Sequence, residues 1–329
     1  MKVDTVTDAA ALGRLEPEWW DLFGRVPAAS PFSSPAWLLP WWLSFTPGAL
    51  HTVALRHDGR LVGLAPLYVE AGPVRRLLPL GIGVSDYLDV LIDPAHAGEA
   101  GAGLVEALAA SRHCWDLWSA EEAPPGAAVL AFPTPAGCVS RVVPQSACPV
   151  LVLPSPPNTW SDAVPPRQRR KWRMARRRLA RRSSAIESAT AATLGDDLAD
   201  LFRLHGARWQ DRGDTGVLAD PLVRRFHAMT APALLAAGML RLTTLRIDEA
   251  VVGIHYGMAR GDRAYAYLGG FDPAFAFESP GTQLMAAAIE AAAADGAQAF
   301  HFLRGQEPYK YAWGAVDQWT SRRTIEPLR

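Results

Sequence analysis

The sequence predicts a mixed α/β protein with two domains in tandem, each with a mostly antiparallel sheet flanked by helices. The chain has 329 residues, roughly twice the length of a typical domain. Helical and strand patterns alternate in the first half, and the second half has strands in hairpin order followed by a helix and another strand. We expect an N-terminal domain over 1–155, a linker with an Arg-rich helix over 156–190, and a C-terminal domain over 191–329.

Composition excludes several classes of protein. Hydrophobic residues make up 49% and charged residues 20%, which indicates a globular chain. Thirty-three Lys+Arg balance 33 Asp+Glu, so a globally basic nucleic-acid-binding protein is excluded. Three cysteines without CxxC spacing indicate reduced thiols, and neither a signal peptide nor a membrane span is predicted. The cysteines and the lack of a predicted signal peptide or span together favour a cytoplasmic location. The histidines show no HxxxH or HxH spacing, so we expect no metal site.

The first half begins with two predicted helices, and a hairpin follows them. Asp58-Gly59 separates two apolar runs, which is a strong signal for a two-residue hairpin turn. In chain order the predicted elements are a helix over 8–25, a helix from Ser34, strands His51–Arg56, Leu61–Val69 and Val84–Ile92, a helix over 98–110, and a strand Cys114–Trp118.

Residues 167–182 hold nine arginines and one lysine, and helical winding places Trp172, Ala175 and Leu179 on one stripe. The rest of the chain therefore carries the compensating acidic charge. One interpretation is an exposed connecting helix whose arginines pair with that acidic surface. The other is a phosphate-binding face for a nucleotide tail or an RNA acceptor end.

The second half contains the segment with the clearest chemistry. Its predicted elements are helices over 196–211 and 220–236, strands Met239–Ile247, Val251–Ala259 and Arg263–Gly269, a helix Gly281–Ala294, and a strand Ala299–Leu303. Before the last helix, Ser279, Gly281 and Thr282 lie where backbone N–H groups and the helix dipole favour a phosphate. An ordinary helix-capping turn is the alternative interpretation.

This order of elements resembles that of the GNAT superfamily of acyl-CoA N-acyltransferases. The resemblance implies two GNAT-like domains in tandem, a degenerate one over 1–155 and the acyltransferase domain over 191–329. The similarity extends to the two-domain, cellulose-biosynthesis-associated acetyltransferases and to Fem-type peptidyltransferases. It depends on four segments together with Ser85-Asp86-Tyr87-x-Asp89: Leu204-His205-x-x-Arg208-Trp209-x-x-Arg212-Gly213, Gly270-Phe271-Asp272-Pro273, Ser279-Pro280-Gly281-x-x-Leu284, and Phe302-Leu303-Arg304-Gly305-x-Glu307-x-Tyr309-Lys310-Tyr311-x-Trp313-Gly314.

The resemblance implies a binding site for the acyl donor. In GNAT enzymes the pyrophosphate of CoA binds the turn before a helix, and the pantetheine runs beside the preceding strand. Carried over to this chain, the donor-binding residues are Tyr267, Gly269, Ser279, Gly281, Thr282 and Gln283. Acyl-CoA, most simply acetyl-CoA, is the expected cosubstrate. Ser279 stands where the usual motif has its first glycine, and Fem-type relatives use aminoacyl-tRNA instead of CoA.

Four residues are candidates for the catalytic chemistry. His255 shares a strand face with small residues, and a neutral imidazole can take a proton from an ammonium group near pH 7; a structural histidine is the alternative. Lys310, which resembles a Fem-type lysine assigned to oxyanion stabilisation, could instead pair with Glu307 and hold its loop. Glu307 could itself be the base, and Asp86 could bind the acceptor amine or only cap a turn.

The remaining predicted site residues are assigned to acceptor binding: Tyr87, Asp89, Arg208, Trp209, Tyr265 and Arg304. Three functions stay open at this stage. The first is acyl-CoA-dependent N-acylation of a small amine or amino sugar. The second is aminoacyl-tRNA-dependent amide formation, with tRNA held by the helix over 167–182. The third is a non-catalytic scaffold. Kinase, dehydrogenase and serine hydrolase motifs are absent from the sequence.

Overall fold

The computed structural model describes residues 1–155, 158–210 and 215–328, apart from the side chains of Arg208 and Gln210. Contacts divide the chain into two compact units. Unit 1 contains residues 1–146 and 319–329, and unit 2 contains residues 147–318. Both combine mostly antiparallel strands with helices, which confirms the predicted mixed α/β class.

Unit 1 contains two groups of paired strands around an apolar core. Its elements are β1 (Lys2–Val6), α1 (Ala9–Arg14), α2 (Glu16–Arg25), α3 (Pro35–Phe45), β2 (Ala49–Leu50), β3 (Thr52–His57), β4 (Arg60–Ala65), β5 (Leu67–Glu70), β6 (Arg76–Pro79), β7 (Leu91–Ile92), α4 (Ala97–Ala110), β8 (Leu117–Ala123) and α5 (Ala128–Ala131). One group has the order β1-β3-β4-β7, and β8-β6-β5-β2 form the other. Asp58 and Gly59 both have positive φ in the turn between β3 and β4, which confirms that hairpin.

Four predicted elements of unit 1 are wrong in extent. The strand expected over Leu61–Val69 is divided into β4 and β5 at Pro66, which has no N–H to donate to a strand ladder, and the strand expected over Cys114–Trp118 starts only at Leu117 and continues as β8 to Ala123. The expected helix over 8–25 is broken at Leu15, because Pro17 in the first turn of α2 cannot donate the backbone hydrogen bond that would continue α1. The expected strand Val84–Ile92 is reduced to β7, since the chain before it forms a turn in which the Ser85 N–H donates to the Gly81 carbonyl.

Unit 2 is built on the strand order β10-β11-β12-β13-β14-β9, in which only β13 and β14 are parallel. The elements that lie in unit 2 or extend into it are β9 (Cys138–Val152), α6 (Pro166–Leu179), β10 (Ser184–Ser188), α7 (Leu194–Gln210), α8 (Pro221–Ala236), β11 (Leu240–Ile247), β12 (Ala250–Arg260), β13 (Arg263–Phe271), α9 (Pro280–Ala294), β14 (Ala299–His301), α10 (Pro308–Ala312) and β15 (Val316–Pro327). Residues 138–146 of β9 and 319–327 of β15 belong to unit 1. The predicted helices and strands of this half are confirmed, with small changes at their ends.

The helices of unit 2 cover both faces of its sheet, and two glycines permit their close approach. A side chain at Gly270 would lie 2.4 Å from the His205 backbone nitrogen of α7. A side chain at Gly253 would meet Leu284 of α9 at 2.9 Å. Gly270 pairs with Ile254, the neighbour of Gly253 on β12, so the two glycines point to opposite faces. Helices α7 and α9 therefore pack on opposite sides of β12 and β13.

The bounds of the two units differ from the predicted domain bounds in two segments, 319–329 and 147–155. The expected C-terminal domain runs to residue 329, whereas residues 319–329 belong to unit 1. The reason is strand pairing, because β15 forms an antiparallel ladder with β8 from Ile325↔Trp118 to Ser321↔Ala123. The segment 147–155, predicted to end the first domain, belongs to unit 2, where β9 pairs with β14.

Candidate active site

The turn that leads into α9, over 272–283, is the segment predicted to bind the acyl donor, and we call it the donor turn. Ser279 precedes the helix with φ 57°, a left-handed conformation that is uncommon outside glycine, and its hydroxyl does not cap the helix. The N–H groups of Thr282 and Gln283 donate to the Ser279 carbonyl. The Gly281 N–H has no acceptor within the described residues, and a Cβ at Gly281 would make only ordinary contacts with Phe271 at 3.5 Å. One N–H of the first turn is therefore available to a ligand.

Helix α6 is anchored to this turn by two arginines. The Arg178 guanidinium donates to the Phe277 carbonyl at 3.1 Å and lies over the Phe277 ring, 4.5 Å from its centroid. Arg182, just beyond α6, pairs with Asp248 and with the buried carboxylate of Glu278 at 3.1 Å. These contacts hold the basic helix beside the donor turn.

Most of the other cationic side chains on this helix are not neutralised. Within the described ranges, seven exposed cations form no ion pair: Arg167, Arg170, Lys171, Arg173, Arg176, Arg177 and Arg181. The interpretation in which the arginines pair with an acidic surface applies to Arg182 and, more loosely, to Arg169, whose guanidinium lies 3.7 Å from Asp162.

Strand β13 has an irregularity next to the donor turn. Leu268 pairs with Tyr256 and Ala266 with Gly257, so Tyr267 is the additional residue of a β-bulge. On its other edge, β13 pairs with β14 only as far as Tyr265. Beyond Tyr265 no strand of the described residues pairs with that edge, so the backbone of Leu268 and Gly269 is open to an extended ligand.

The sequence pattern gave no sign of an aromatic cluster that surrounds this bulge. The Tyr267 ring lies 5.6 Å from the His227 ring and 5.7 Å from the Tyr256 ring. Burial lowers the pKa of His227 to about 3 and raises the pKa of Tyr256 above its usual range. The Tyr256 hydroxyl is buried without a hydrogen-bond partner in the described chain. In the sequence, Tyr256 lies in an apolar strand pattern that is typical of a core residue, so the pattern did not mark it as part of a site. The ring of Tyr265 is stacked instead on the ring of His301, with 5.0 Å between the two centroids.

His255 lies on the α9 face of β12, in the wall of a cavity of about 960 Å³. Only 6% of the residue is exposed, and burial lowers the pKa of its imidazole to about 4. Its Nε2 lies over Gly257, where an added Cβ would be 2.8 Å away. The imidazole is therefore neutral at pH 7, as a proton acceptor must be.

Lys310 is buried and its ammonium group organises the loop after β14. Its Nζ donates to the carbonyls of Leu303 at 3.1 Å, Arg304 at 2.6 Å and Gly305 at 3.1 Å. It also pairs with Glu307 at 2.9 Å, whose side chain is 53% exposed. Leu303 has φ 60° and Gly305 φ 106°, so the ammonium fixes a loop of unusual backbone conformation.

The predicted acceptor residues are divided between the two units. On α7, the Trp209 indole donates to His205 Nε2 at 2.9 Å, and the Arg208 side chain lies outside the described residues. Asp86 and Tyr87 are buried in unit 1.

Asp89, also in unit 1, accepts hydrogen bonds from the N–H groups of Val90, Ala128 and Val129, so its carboxylate caps α5. Burial raises the pKa of Asp89 to about 6, against the opposing effect of these three donors.

Two other features are absent from the described residues. No helix there is sufficiently long and apolar to cross a membrane. No group of three or more His, Cys, Asp or Glu side chains there is arranged to hold a metal ion.

Comparisons with known proteins identify the fold of this site. Residues 166–311 match the family model of the GNAT acetyltransferase domain, so the chain contains such a domain and is a transferase. The crystal structure of FemX superposes with a TM-score of 0.71 at 12% identity, covering 98% of this chain and 97% of FemX. The structure of L-PGS from Bacillus licheniformis has a TM-score of 0.59 at 12% identity, covering 95% and 91%. At these identities the likeness shows a shared fold. A search of curated protein sequences gave no significant match.

Proposed function

We propose, on the premise that residues 166–311 form a GNAT acetyltransferase domain, that the protein is an N-acyltransferase. It would transfer an acyl group, in the simplest case acetyl, from acyl-CoA to the amine of a small molecule or amino sugar. The observation that supports a phosphate-bearing donor is the attachment of α6 to the donor turn through Arg178 and Arg182. Unpaired cations beside a helix N-terminus attract the pyrophosphate and 3′-phosphate of CoA.

The donor would lie along the open edge of β13. Its pyrophosphate would accept a hydrogen bond from the Gly281 N–H, and its pantetheine amides would pair with the backbone of Leu268 and Gly269. The thioester would then reach the bulge at Tyr267. A non-glycine residue at position 279 is compatible with this arrangement, because Ser279 already adopts the left-handed conformation that glycine usually supplies.

In the reaction the amine nitrogen attacks the thioester carbon, a C–N bond forms and the C–S bond breaks. The ammonium proton passes to a base and the CoA thiolate takes up a proton. His255 is neutral at pH 7, although its depressed pKa makes it a weak base. Glu307 is the competing candidate. We expect His255→Ala to lower kcat with little change in donor affinity, and Glu307→Gln to retain turnover; the reverse result would assign the base to Glu307.

Lys310 is predicted to stabilise the oxyanion, and its contacts support a positioning role as well. Its ammonium group is surrounded by three carbonyls of the loop after β14 and by the Glu307 carboxylate at 2.9 Å. Lys310→Arg retains the charge but not the compact head. Wild-type kcat in that variant would count against direct contact with the reacting oxygen. Asp86 stays a candidate for binding the acceptor amine, to be tested by the KM of Asp86→Asn for the acceptor.

The decisive experiment is calorimetric titration with acetyl-CoA, longer acyl-CoAs and free CoA. Gly281→Trp should abolish binding, because the indole would occupy the space in front of the free N–H while the Cβ itself is tolerated. Gly195→Trp is the matched control, since Gly195 is exposed at the first turn of α7 and a Cβ added there would have no neighbouring atom within 4 Å. Binding that survives Gly281→Trp, or no binding of any thioester by the wild type, would overturn the proposal.

An aminoacyl-tRNA-dependent transferase is the second candidate. The exposed, unpaired cations of α6 favour it, because they extend over more turns than a pyrophosphate needs, and the likeness to FemX spans nearly the whole chain. Binding of charged tRNA would weaken steeply with salt, by a slope of roughly 0.7–0.9 per phosphate contact in a log–log plot. Arg170→Gln and Arg177→Gln should each reduce that slope. A salt-independent affinity for charged tRNA would exclude this donor. So would an affinity of the double variant Arg170→Gln/Arg177→Gln equal to that of the wild type.

A further inference from the structure

The part of the cavity beside His255 lies between α9 and the strands β11 and β12, and we call it the α9 slot. The strand register places Thr243, His255 and Gly257 on one face of the sheet. This is also the face of Gly253, where an added side chain would meet α9. Small residues line much of the slot: Gly257, Ala259, Ala287, Ala288 and Ala291. Its walls therefore consist largely of methyl groups and backbone atoms.

His255 presents an imidazole without a partner to the α9 slot. The residue is more than nine-tenths buried, and within the described residues it has no hydrogen bond, ion pair or ring contact. Thr243 is its direct neighbour on β11, and the buried Thr243 hydroxyl also has no hydrogen-bond partner there. Directly paired side chains start about 4.5–5.5 Å apart at Cβ, so one small group can reach both. Buried polar groups are nearly always hydrogen-bonded, which indicates a ligand that completes them.

The α9 slot offers no free anion to a positively charged ligand. Asp295 is the only carboxylate that lines the cavity within the described ranges, and Arg241 holds it at 3.2 Å. Burial lowers the pKa of His255 to about 4, so a positive charge is unfavourable at this position. The slot therefore favours a hydrogen-bonding group that is uncharged at pH 7.

The direction of the imidazole relates the slot to the proposed donor site. His255 Nε2 lies over Gly257, where an added Cβ would be 2.8 Å away. Gly257 pairs with Ala266, the residue before the bulge at Tyr267 that the thioester is proposed to reach. Adjacent strands lie roughly 5 Å apart. A nitrogen bound at Nε2 would therefore lie about one strand spacing from the thioester carbon.

On the basis of the proposed function, we infer that the acceptor is an aromatic amine bound in the α9 slot. Its amino group donates to His255 Nε2 and to the Thr243 hydroxyl, and its ring packs against Ala288 and Ala291. Such an amine is uncharged at pH 7, because its nitrogen lone pair is delocalised into the ring. After the nitrogen attacks the thioester carbon, the N–H of the tetrahedral intermediate is strongly acidic, so a weak base such as His255 accepts its proton. The C–S bond then breaks and the thiolate takes up that proton.

The test compares two isomers on the full-length protein at pH 7. One probe, 6-aminotetralin, is an aromatic amine, whereas 2-aminotetralin has the same ring system and a charged aliphatic amine. In calorimetric titration without an acyl donor, we expect 6-aminotetralin to bind about tenfold more tightly. With acetyl-CoA present, 6-aminotetralin should also cause faster release of the CoA thiol than 2-aminotetralin.

Three variants assign the preference to the α9 slot. His255→Leu should remove most of the preference for 6-aminotetralin, because the amino group loses its hydrogen-bond acceptor. Ala288→Leu should weaken the binding of both isomers about tenfold, since the larger side chain fills the slot. Ala294→Leu makes the same change at an exposed position of α9 outside the cavity and should leave both affinities unchanged.

Equal affinities for the two isomers, tighter binding of 2-aminotetralin, or a preference unaffected by His255→Leu would overturn the inference even if acetyl-CoA binding were established. Failure of the proposed function has a different signature, in which no thioester binds and the preference for 6-aminotetralin is intact. In that result the aromatic-amine site stands and the acyl-transfer function does not.

Discussion

We expect the hydrogen bonds from the buried Lys310 ammonium group to three loop carbonyls to contribute more to the free energy of unfolding than its ion pair with Glu307. In Lys310→Met the apolar side chain retains most of the volume but removes the donor shared by three carbonyls, those of Leu303, Arg304 and Gly305. These carbonyls would lose their partner in a loop where Leu303 has a left-handed backbone. The variant therefore tests whether the ammonium group holds the loop.

The magnitude follows from burial and from the number of donors. A hydrogen bond from a charged donor contributes about 1.5–3 kcal/mol, and removal of one buried charged partner costs about 3–5 kcal/mol. Only 3% of the Lys310 side chain is exposed, so we expect Lys310→Met to lower the free energy of unfolding by about 3–5 kcal/mol. Glu307→Gln should cost no more than about 1 kcal/mol, because the Glu307 side chain is 53% exposed.

Urea unfolding measures both costs, and hydrogen exchange localises them. The Gly305 N–H, which donates to the Ala147 carbonyl at 3.1 Å, should exchange faster in Lys310→Met and at the wild-type rate in Glu307→Gln. Equal destabilisation by the two substitutions would refute the reasoning, since it would assign the stability to the ion pair. So would a cost below about 1 kcal/mol for Lys310→Met.

Three further predictions concern conformation and pH. Ser279→Gly should raise the free energy of unfolding by about 0.5–1 kcal/mol, since glycine adopts φ 57° without strain; an unchanged urea midpoint would contradict this. Asp89 has a folded-state pKa raised from 3.8 to about 6, so its contribution to stability is present below pH 3.8 and lost as the pH rises through 6; Asp89→Asn should flatten that loss in pH-dependent unfolding. The pKa values of His227, His255 and His301 are lowered to about 3–4, so stability should fall as the pH drops below 6.5, and His255→Leu should make that slope shallower by about 1.4 kcal/mol per pH unit.

Local patterns were sufficient for the helices and hairpins of unit 2. The alternation along β12 predicted that His255 shares a face with Gly257 and Ala259, and the cavity lies on that face. The turn before α9 was predicted from Pro280 and Gly281. Such features depend on residues close in sequence, whose period and turn chemistry define the element directly.

The sequence by itself determined the mixed α/β class, the order of elements in unit 2 and the presence of a basic helix. Only the tertiary structure showed which arginines anchor that helix, because Arg178 and Arg182 meet partners that are distant along the chain. It also decided that the last strand completes unit 1 beside β8, that Tyr267 lies in a bulge, and that the ammonium of Lys310 faces three carbonyls. Register and burial are set by packing between distant segments, and no local pattern encodes them.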